Sequence, residues 1–129
     1  MRIITLNVNG IRAAGRKGFF DWLPHQEADI VCLQETRAQP EQRRDPMFTP
    51  TGYHIHYLDA KRKGYSGVAI YSRIKPDRVI EGLGWSDFDC EGRALRVDFG
   101  QLSVISLYLP SGSSGDVRQD FKFDIMRRM

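Results

Sequence analysis

The sequence predicts an α/β fold in which layered strands are covered by helices. An uninterrupted apolar run at residues 30–33 is bounded by polar residues, which is typical of a strand buried on both faces beneath helices. Leu95, Val97 and Phe99 alternate with charged residues, which is the pattern of a half-buried strand. Strand-like segments are many and helical ones few, so we expect a second set of covering helices to be missing and the chain to be cut.

Length and composition limit the class of protein. The 129 residues, 41% hydrophobic and 27% charged, fit one globular domain or part of one. No apolar run approaches the roughly 20 residues that span a bilayer, and residues 1–7 have a strand-like pattern that does not resemble a signal peptide. Cys32 and Cys90 have no spacing that indicates a zinc site or a disulfide framework. A cytoplasmic protein with reduced thiols and no membrane partner is predicted.

The first half of the chain is predicted to begin with a strand. Its elements are a strand at residues 2–8, a helix at 18–28, a strand at 30–33 and an irregular segment at 39–50. The first strand carries β-branched side chains and ends at the turn signal Asn9–Gly10. Phe19, Phe20 and Leu23 can share one buried side of the helix, although Pro24 interrupts its hydrogen-bond ladder. Three prolines make residues 39–50 unsuited to regular structure.

The second half is predicted to be rich in strands. Its elements are strands at residues 53–58, 67–72, 77–83, 95–99 and 102–109, a loop at 110–115 and a helix that begins at Asp116. Gly100–Gln101 is a plausible tight turn between the last two strands. The apolar residues of the helix recur every four positions, at Val117, Phe121, Ile125 and Met129. The helix has no stop signal, which adds to the expectation that the chain is cut.

The charge is mildly basic, with a formal value of +3 and a sequence pI near 9.0. Arg12, Arg16 and Lys17 are predicted to form one basic loop, and residues 61–63 another beside Gly64 and Tyr65. Loops of this kind can hold a phosphate backbone, and a solvated surface is the alternative.

Three polar residues are candidates for a functional site. Asn7 lies where the first strand meets its loop, Glu35 directly follows a buried strand, and Tyr108 is near the end of the last strand. Polar residues at the carboxyl ends of strands in α/β sheets converge on ligands, and amide and carboxylate oxygens suit Mg²⁺ or Mn²⁺. A turn-forming asparagine, a solvated glutamate and a packing tyrosine are the structural alternatives. No Gly-x-Ser-x-Gly, Gly-x-Gly-x-x-Gly or P-loop pattern is present.

Five segments occur together in a fixed order. They are LNVNGIRA at residues 6–13, LQE at 33–35, GYSGVA at 64–69, EGR at 91–93 and LYLPSG at 107–112. The set resembles the bacterial exonuclease III family, the abasic-site endonucleases of the endonuclease/exonuclease/phosphatase superfamily. The resemblance runs essentially from end to end of the chain.

The resemblance implies a four-layered α/β sandwich, with two mixed sheets packed face to face and helices outside. It also implies Mg²⁺-dependent hydrolysis of DNA 5′ to an abasic site in base excision repair, with 3′→5′ exonuclease and 3′-phosphatase activities. The implied partner is double-stranded DNA with abasic sites or blocked 3′ ends, and the full-length enzyme is expected to be a monomer. A phosphoinositide or sphingomyelin substrate is an alternative within the superfamily, and the basic loops argue against it.

The resemblance also assigns roles to individual residues. Asn7 and Tyr108 match active-site positions, and Glu35, with Asn7, matches a metal-binding position. The implied DNA-binding residues are Arg12, Lys17, Lys63, Gly64, Tyr65, Ser66 and Arg93.

The chain departs from the family in one large respect. Family members are roughly twice as long, and the Gly-Asp-x-Asn and terminal Ser-Asp-His segments of their active site have no counterpart here. We therefore expect residues 1–129 to be the N-terminal half of the domain and to be inactive alone. A non-catalytic half-domain that binds DNA or a protein partner is the alternative. Without an opposing sheet, apolar residues such as Val31, Leu33, Ile105 and Leu107 are expected to be partly unburied.

Overall fold

Seven strands form two sheets in the described part of the chain. The structure is a computed structural model that describes residues 1–110 and 116–128, without the side chains of residues 116–119. The strands are β1 (Ile3–Asn7), β2 (Ile30–Gln34), β3 (His54–Leu58), β4 (Val68–Ser72), β5 (Arg78–Glu81), β6 (Ala94–Phe99) and β7 (Leu102–Leu107). Each of them overlaps a predicted strand.

The two sheets have different topologies. The first has the order β1-β2-β4-β3, in which β1 is parallel to β2 and the other pairs are antiparallel. The second has the order β5-β6-β7 and is antiparallel throughout. Phe99 pairs with Leu102, so the chain turns at Gly100–Gln101 as predicted. β1 and β7 are edge strands of their sheets among the described residues.

The helices are short except for the last one. They are α1 (Ile11–Arg16), α2 (Phe19–Trp22), α3 (Ser86–Asp89) and α4 (Asp116–Arg128), with 3₁₀ turns at Leu23–Gln26, Pro40–Gln42 and Pro46–Phe48. The predicted helix at residues 18–28 is wrong in its second half, because Pro24 occupies the start of a 3₁₀ turn. The 3₁₀ turns at Pro40–Gln42 and Pro46–Phe48 lie in the segment that was expected to be irregular, and α3 had no sequence signal.

The predicted basic loop around Arg12 is also wrong, since Arg12 and Arg16 belong to α1 and Lys17 follows it. The amide of Gly10 donates to the carbonyl of Glu35 at 2.7 Å, and that of Ile11 to the carbonyl of Thr36 at 2.9 Å. These bonds hold the start of α1 against the end of β2. Satisfying the first amides of a helix in this way stabilises its N-terminus.

Both faces of β2 are covered, which confirms the prediction for this strand. On one face Val31, Leu33 and Tyr71 pack with residues of α1 and α2, and on the other Ile30 and Ile70 pack against the second sheet. Successive side chains of a strand point to opposite faces, so β2 serves both cores.

Among the apolar residues expected to be partly unburied, only those on one strand are exposed, and the expected reason for it is wrong, because the second sheet packs against the first and the exposed residues lie on its outer face. Ile105 is 47% exposed and Leu107 is 36% exposed on the outward face of β7. Val31 and Leu33 are fully buried, so the prediction is wrong for them. The cluster that contains Ile11 and Phe19 covers their side of the sheet.

The charged residues of β6 do not all face water. Asp98 is 6% exposed although it alternates with apolar residues. Hydrogen bonds from Arg96 and Ser103, and then from Arg78, lower the pKa of the Asp98 carboxyl to about 2. Pairing of this kind offsets the cost of burying a carboxylate.

The last helix packs beside α3. Phe121 and Ile125 join Phe88 and Ala94 in a small apolar cluster, which confirms the predicted face for these two residues. The predicted loop at residues 111–115, the Val117 side chain and Met129 lie outside the described residues. In the described part of the chain no helix has both the length and the apolar character needed to cross a membrane.

Candidate functional site

The three candidate site residues meet at one end of the strands. Asn7 is the last residue of β1, Glu35 directly follows β2 and Tyr108 directly follows β7. The Tyr108 hydroxyl donates a hydrogen bond to Oε1 of Glu35, and the Asn7 side chain is near enough to this carboxylate to help lower its pKa. The structure therefore brings together residues that are far apart in sequence and that come from both sheets.

Arg37 completes the surroundings of Glu35. Its guanidinium Nη2 lies 2.8 Å from Glu35 Oε2, and the Glu35 side chain is 13% exposed. Arg12 donates from Nη2 to the carbonyl of Arg37 at 3.3 Å. One oxygen of the carboxylate therefore accepts a hydrogen bond from the Tyr108 hydroxyl, and the other is paired with the Arg37 guanidinium. Arg12 lies next to Arg37.

The backbone at Glu35 is unusual. Glu35 has φ of 56° and Arg37 has φ of 53°, values in the left-handed region that non-glycine residues seldom adopt. Such a conformation costs of order 1–3 kcal/mol and persists where the surroundings impose it. The Gly10 amide, bonded to the Glu35 carbonyl, contributes to that constraint.

Asn7 also has the turn-forming role that was the structural alternative. Its Oδ1 accepts a hydrogen bond from the Asn9 amide at 2.9 Å. A carbonyl oxygen has two lone pairs, so this bond leaves Asn7 able to accept another partner. The two interpretations of Asn7 are therefore compatible.

The electrostatics of the site keep Glu35 ionised. Burial on its own would raise the pKa of Glu35, but hydrogen bonds from Tyr108 and Asn7 and the charge of Arg37 outweigh it and lower the pKa. Burial, followed by the hydrogen bond to the Glu35 carboxylate, raises the pKa of Tyr108 to about 12. Near neutral pH the pair is therefore a carboxylate and a neutral phenol, which can donate a hydrogen bond.

Arg93 lies beneath the site and not on its surface. It is 2% exposed, its Nε donates to Glu91 Oε1 at 2.7 Å and its Nη2 donates to the Tyr65 hydroxyl at 2.9 Å. Its Nη1 donates to the carbonyl of Tyr108 at 3.1 Å, while its own carbonyl accepts from the Tyr108 amide at 2.8 Å. Arg93 therefore holds Tyr108 and the loop of Tyr65 together.

The loop at residues 64–67 is bonded to the loop that precedes β6. Ser66 Oγ donates to the carbonyl of Gly92 at 3.3 Å, and the Gly67 amide donates to the same carbonyl at 3.1 Å. A Cβ on Gly92 would lie 2.6 Å from the Ala60 amide nitrogen, so only glycine fits there. The contact fixes Tyr65 and its loop at the rim of the site.

The residues expected to bind DNA fall into two groups. Lys17, Lys63 and Gly64 are exposed, and Arg12 and Tyr65 are half-buried beside the site. Arg93 and Ser66 are buried, at 2% and 3% exposure, with their polar groups bonded within the protein. The expectation that these two contact DNA directly is not supported, because groups already paired inside the protein are not presented to a ligand.

The donor set fits a hard divalent cation in part. Asn7 and Glu35 supply an amide and a carboxylate oxygen, which are ligands that Mg²⁺ and Mn²⁺ prefer. No group of three or more His, Cys, Asp or Glu side chains that could hold a metal ion occurs in the described ranges. The described residues therefore provide two oxygen donors, and Mg²⁺ retains waters or takes further ligands at such sites.

Sequence reasoning missed three polar residues near the site. Arg37 pairs with Glu35, and Gln34 and Ser106 lie beneath it in a hydrogen-bonded layer. The position of Arg37 two residues after Glu35 was the available signal for the ion pair. Nothing in the sequence indicates that Gln34 and Ser106 meet, because they belong to different sheets and are 72 residues apart.

The fold and the site define a layered α/β protein with an oxygen-rich, arginine-bordered site at the strand ends of two sheets. Residues 4–127 match the Endonuclease/Exonuclease/phosphatase family, and the chain belongs to that family. Nucleases of this family generally depend on divalent metal ions. The predicted family and the predicted α/β class are both confirmed.

Individual relatives are nucleases by name. The chain is 40% identical to an exodeoxyribonuclease of Bacillus subtilis, over 95% of this chain and 48% of the relative. It is 33% identical to a DNA-(apurinic or apyrimidinic site) endonuclease of Dictyostelium discoideum, over 95% of this chain and 34% of the relative.

Among solved structures, the chain is also similar to nucleases. An AP endonuclease from Archaeoglobus fulgidus superposes with a TM-score of 0.82 at 31% identity, over 97% of this chain and 48% of that one. The catalytic domain of Xenopus laevis APE2 superposes with a TM-score of 0.83 at 29% identity, over 98% of this chain and 51% of that one. The chain thus spans about half the length, or less, of the relatives it matches.

Proposed function

We propose that the chain is the N-terminal half of a divalent-metal-dependent DNA phosphodiesterase of base excision repair. The reaction is incision 5′ to an abasic site, accompanied by 3′→5′ exonuclease and 3′-phosphatase activities. The observation that carries the proposal is the convergence of Asn7, Glu35 and Tyr108 from β1, β2 and β7, in a chain of this family. The names of the relatives, exodeoxyribonuclease and AP endonuclease, support the same reaction class.

In this proposal each site residue has a separate task. Glu35 and Asn7 hold Mg²⁺, or Mn²⁺ in its place, through their side-chain oxygens. A metal ion held there would supply Lewis-acid stabilisation of the charge that develops on the phosphoryl and leaving oxygens. Tyr108 is a neutral hydrogen-bond donor toward the phosphate, and Arg37 neutralises charge at the rim.

The substrate in this proposal is double-stranded DNA with abasic sites or blocked 3′ ends. Arg12, Lys17 and Lys63 contact its phosphates, and Gly64 and Tyr65 form a loop against its backbone. Contacts of this kind position a duplex without selecting its sequence. The proposed setting is the cytoplasm, at the nucleoid, with the full-length enzyme acting as a monomer.

A chimaeric enzyme tests the proposal. Residues 1–129 are joined to the segment of the Bacillus subtilis exodeoxyribonuclease that lies beyond its match to this chain, and correct folding is checked by circular dichroism. We expect Mg²⁺-dependent cleavage of an abasic-site duplex, and Glu35→Ala should reduce it by orders of magnitude. Glu81→Ala, a carboxylate change in the second sheet, is the matched control. If Glu35→Ala retained activity within about twofold of the parent chimaera, as a change outside the site would, the assignment of Glu35 would be refuted.

A non-catalytic half-domain that binds DNA or a protein is the second candidate. The exposed apolar residues of β7, Ile105 and Leu107, favour it, because apolar patches on a sheet edge attract partners. Residues 1–129 alone are expected not to cleave DNA, since they supply only part of the site. Binding of a duplex by this chain, together with a folded chimaera that does not cleave, would support the second candidate over the first.

A further inference from the structure

A layer of three polar side chains lies directly beneath the candidate site. Gln34 Nε2 donates to Thr5 Oγ1 at 3.0 Å and to Ser106 Oγ at 3.2 Å. Ser106 Oγ in turn donates to the carbonyl of Leu33 at 3.0 Å. Thr5 belongs to β1, Gln34 to β2 and Ser106 to β7, so the layer joins the three strands that carry the site.

Each member of the layer is one or two residues before a site residue in sequence. Thr5 is two residues before Asn7, Gln34 immediately precedes Glu35, and Ser106 is two residues before Tyr108. Residues two apart on a strand point to the same face, and about 6.6 Å of extended backbone separates them. A displacement at Ser106 is therefore transmitted to Tyr108 through a short, extended segment.

The link through Ser106 differs from the others because it crosses between sheets. Backbone pairing sets Asn7 opposite Gln34 within the first sheet, whereas β7 belongs to the second sheet. Apolar packing between the sheets, as in the buried cluster that contains Ile70 and Val97, is non-directional and sets the spacing of the sheets more strongly than their register. Hydrogen bonds have narrow ranges of distance and angle and so fix the register as well.

The Ser106 hydroxyl uses its donor and one of its acceptor positions in this link. Ser106 is 0% exposed, donates one hydrogen bond and accepts another. We propose that Ser106 is a positioning residue whose bonds to Leu33 and Gln34 hold β7 against β2 so that Tyr108 meets Glu35. The part of this inference that concerns metal binding depends on the proposed function, and the part that concerns the Tyr108–Glu35 contact does not.

The test uses the 129-residue chain and the change Ser106→Ala. Ser103→Ala is the matched control, because Ser103 is also on β7 and donates to Asp98 at 2.7 Å, away from the site. Mn²⁺ binding is followed by the relaxation of water protons. Loss of a group that orients metal ligands costs about 10–100-fold in affinity, so we expect Ser106→Ala to raise the Kd for Mn²⁺ by about tenfold and Ser103→Ala to leave it nearly unchanged.

A second measurement requires no metal. The coupling between Tyr108→Phe and Glu35→Ala is obtained from urea unfolding as a double-mutant cycle. In the parent chain we expect the interaction between Tyr108 and Glu35 to change the unfolding equilibrium constant by about fivefold. This coupling should disappear when the cycle is repeated in Ser106→Ala and should persist in Ser103→Ala. Ser106→Cys, which keeps the volume but donates weakly, should act like Ser106→Ala and replaces it if the alanine variant does not fold.

The outcomes separate the two proposals. Absence of Mn²⁺ binding in the parent chain would refute metal binding by Asn7 and Glu35 here, and the cycle would still decide the role of Ser106. Persistence of the Tyr108–Glu35 coupling in the Ser106 variants, at the level seen in Ser103→Ala, would overturn the positioning role. Equal loss of coupling in the Ser106 and Ser103 variants would also overturn it, because a general loss of strand packing would then be the cause.

Discussion

Replacing Arg93 by alanine should destabilise the chain more than replacing any surface arginine. Arg93 is 2% exposed, and its guanidinium bonds to Glu91, to the Tyr65 hydroxyl and to the Tyr108 carbonyl. Truncation leaves the Glu91 side chain, which is 18% exposed, without this cation. It also removes donors from the tyrosine hydroxyl and from the carbonyl.

The magnitude follows from the burial of this pair. Removing one partner of a buried ion pair costs about 3–5 kcal/mol, and because Glu91 is 18% exposed and still accepts a bond from the Tyr65 hydroxyl, the cost here should lie at the lower end of that range. Domains of this size are stable by about 5–15 kcal/mol, so the variant should lose a large share of its free energy of unfolding. Arg78 is the matched control, since its side chain is 67% exposed and its partner Asp98 keeps other hydrogen bonds. Arg78→Ala should cost about 1 kcal/mol or less.

The assay is urea unfolding followed by the fluorescence of Trp22 and Trp85. We expect Arg93→Ala to lower the midpoint clearly and Arg78→Ala to shift it little, with the slope of the transition unchanged in both. Arg93→Lys should fall between them, because lysine keeps the charge but cannot make three directed bonds. Equal midpoints for Arg93→Ala and Arg78→Ala would show that the buried guanidinium does not hold the two loops together.

Three further predictions concern single groups. Burial raises the pKa of the Cys32 thiol to about 11, so little reactive thiolate forms there at mildly alkaline pH. In the native chain a disulfide reagent should therefore modify the half-buried Cys90 and should modify Cys32 only after urea is added. Equal rates of modification for both thiols would contradict this. Guanidinium hydrogen bonds lower the pKa of Asp98 to about 2, below its ordinary 3.8, so its contribution to stability is present above about pH 4 and is lost as the pH falls toward about 2. Urea unfolding across that range should show a shallower acid dependence for Asp98→Asn, and an unchanged dependence would refute the assignment. Duplex binding is measured by fluorescence anisotropy at several salt concentrations. Arg12→Ala and Lys63→Ala should each reduce the slope of the logarithm of the binding constant against the logarithm of the salt concentration by about one unit. An unaltered slope would mean that neither residue contacts a phosphate.

The strands could be predicted because their signals are local. The apolar run at residues 30–33 and the alternation at 95–99 follow directly from the burial that strands require. α1 could not be predicted in this way, since only Ile11 of its six residues is buried. The start of α1 is held by bonds from Gly10 and Ile11 to the carbonyls of Glu35 and Thr36, and those contacts exist only in the folded chain.

The sequence was sufficient to predict the central residues of the candidate site, but not how their side chains contact one another. The positions of Asn7, Glu35 and Tyr108 at strand ends indicated that they could converge. Nothing in the local sequence distinguishes Arg93 from a surface arginine. Its buried guanidinium is hydrogen-bonded to Tyr65 and Glu91, and the contact with Tyr65 forms only in the folded chain. The family resemblance of the segment at residues 91–93 therefore suggested a DNA contact for Arg93, whereas the structure shows a buried group that supports two loops.

The arrangement around Glu35 also explains how this carboxylate is compensated among the described residues. A partly buried carboxylate needs compensation, and here Tyr108 bonds to one oxygen while Arg37 pairs with the other. A divalent cation that binds Glu35 is repelled by the Arg37 guanidinium at Oε2, whereas the hydrogen bond from the Tyr108 hydroxyl leaves a second lone pair of Oε1 available. Arg37, at 46% side-chain exposure, is the partner that can move away at lower cost, since a surface ion pair contributes only about 0–1 kcal/mol. Tyr108 is held by Arg93 from below through its backbone carbonyl, so we expect its hydroxyl to stay beside the carboxylate when Arg37 moves away.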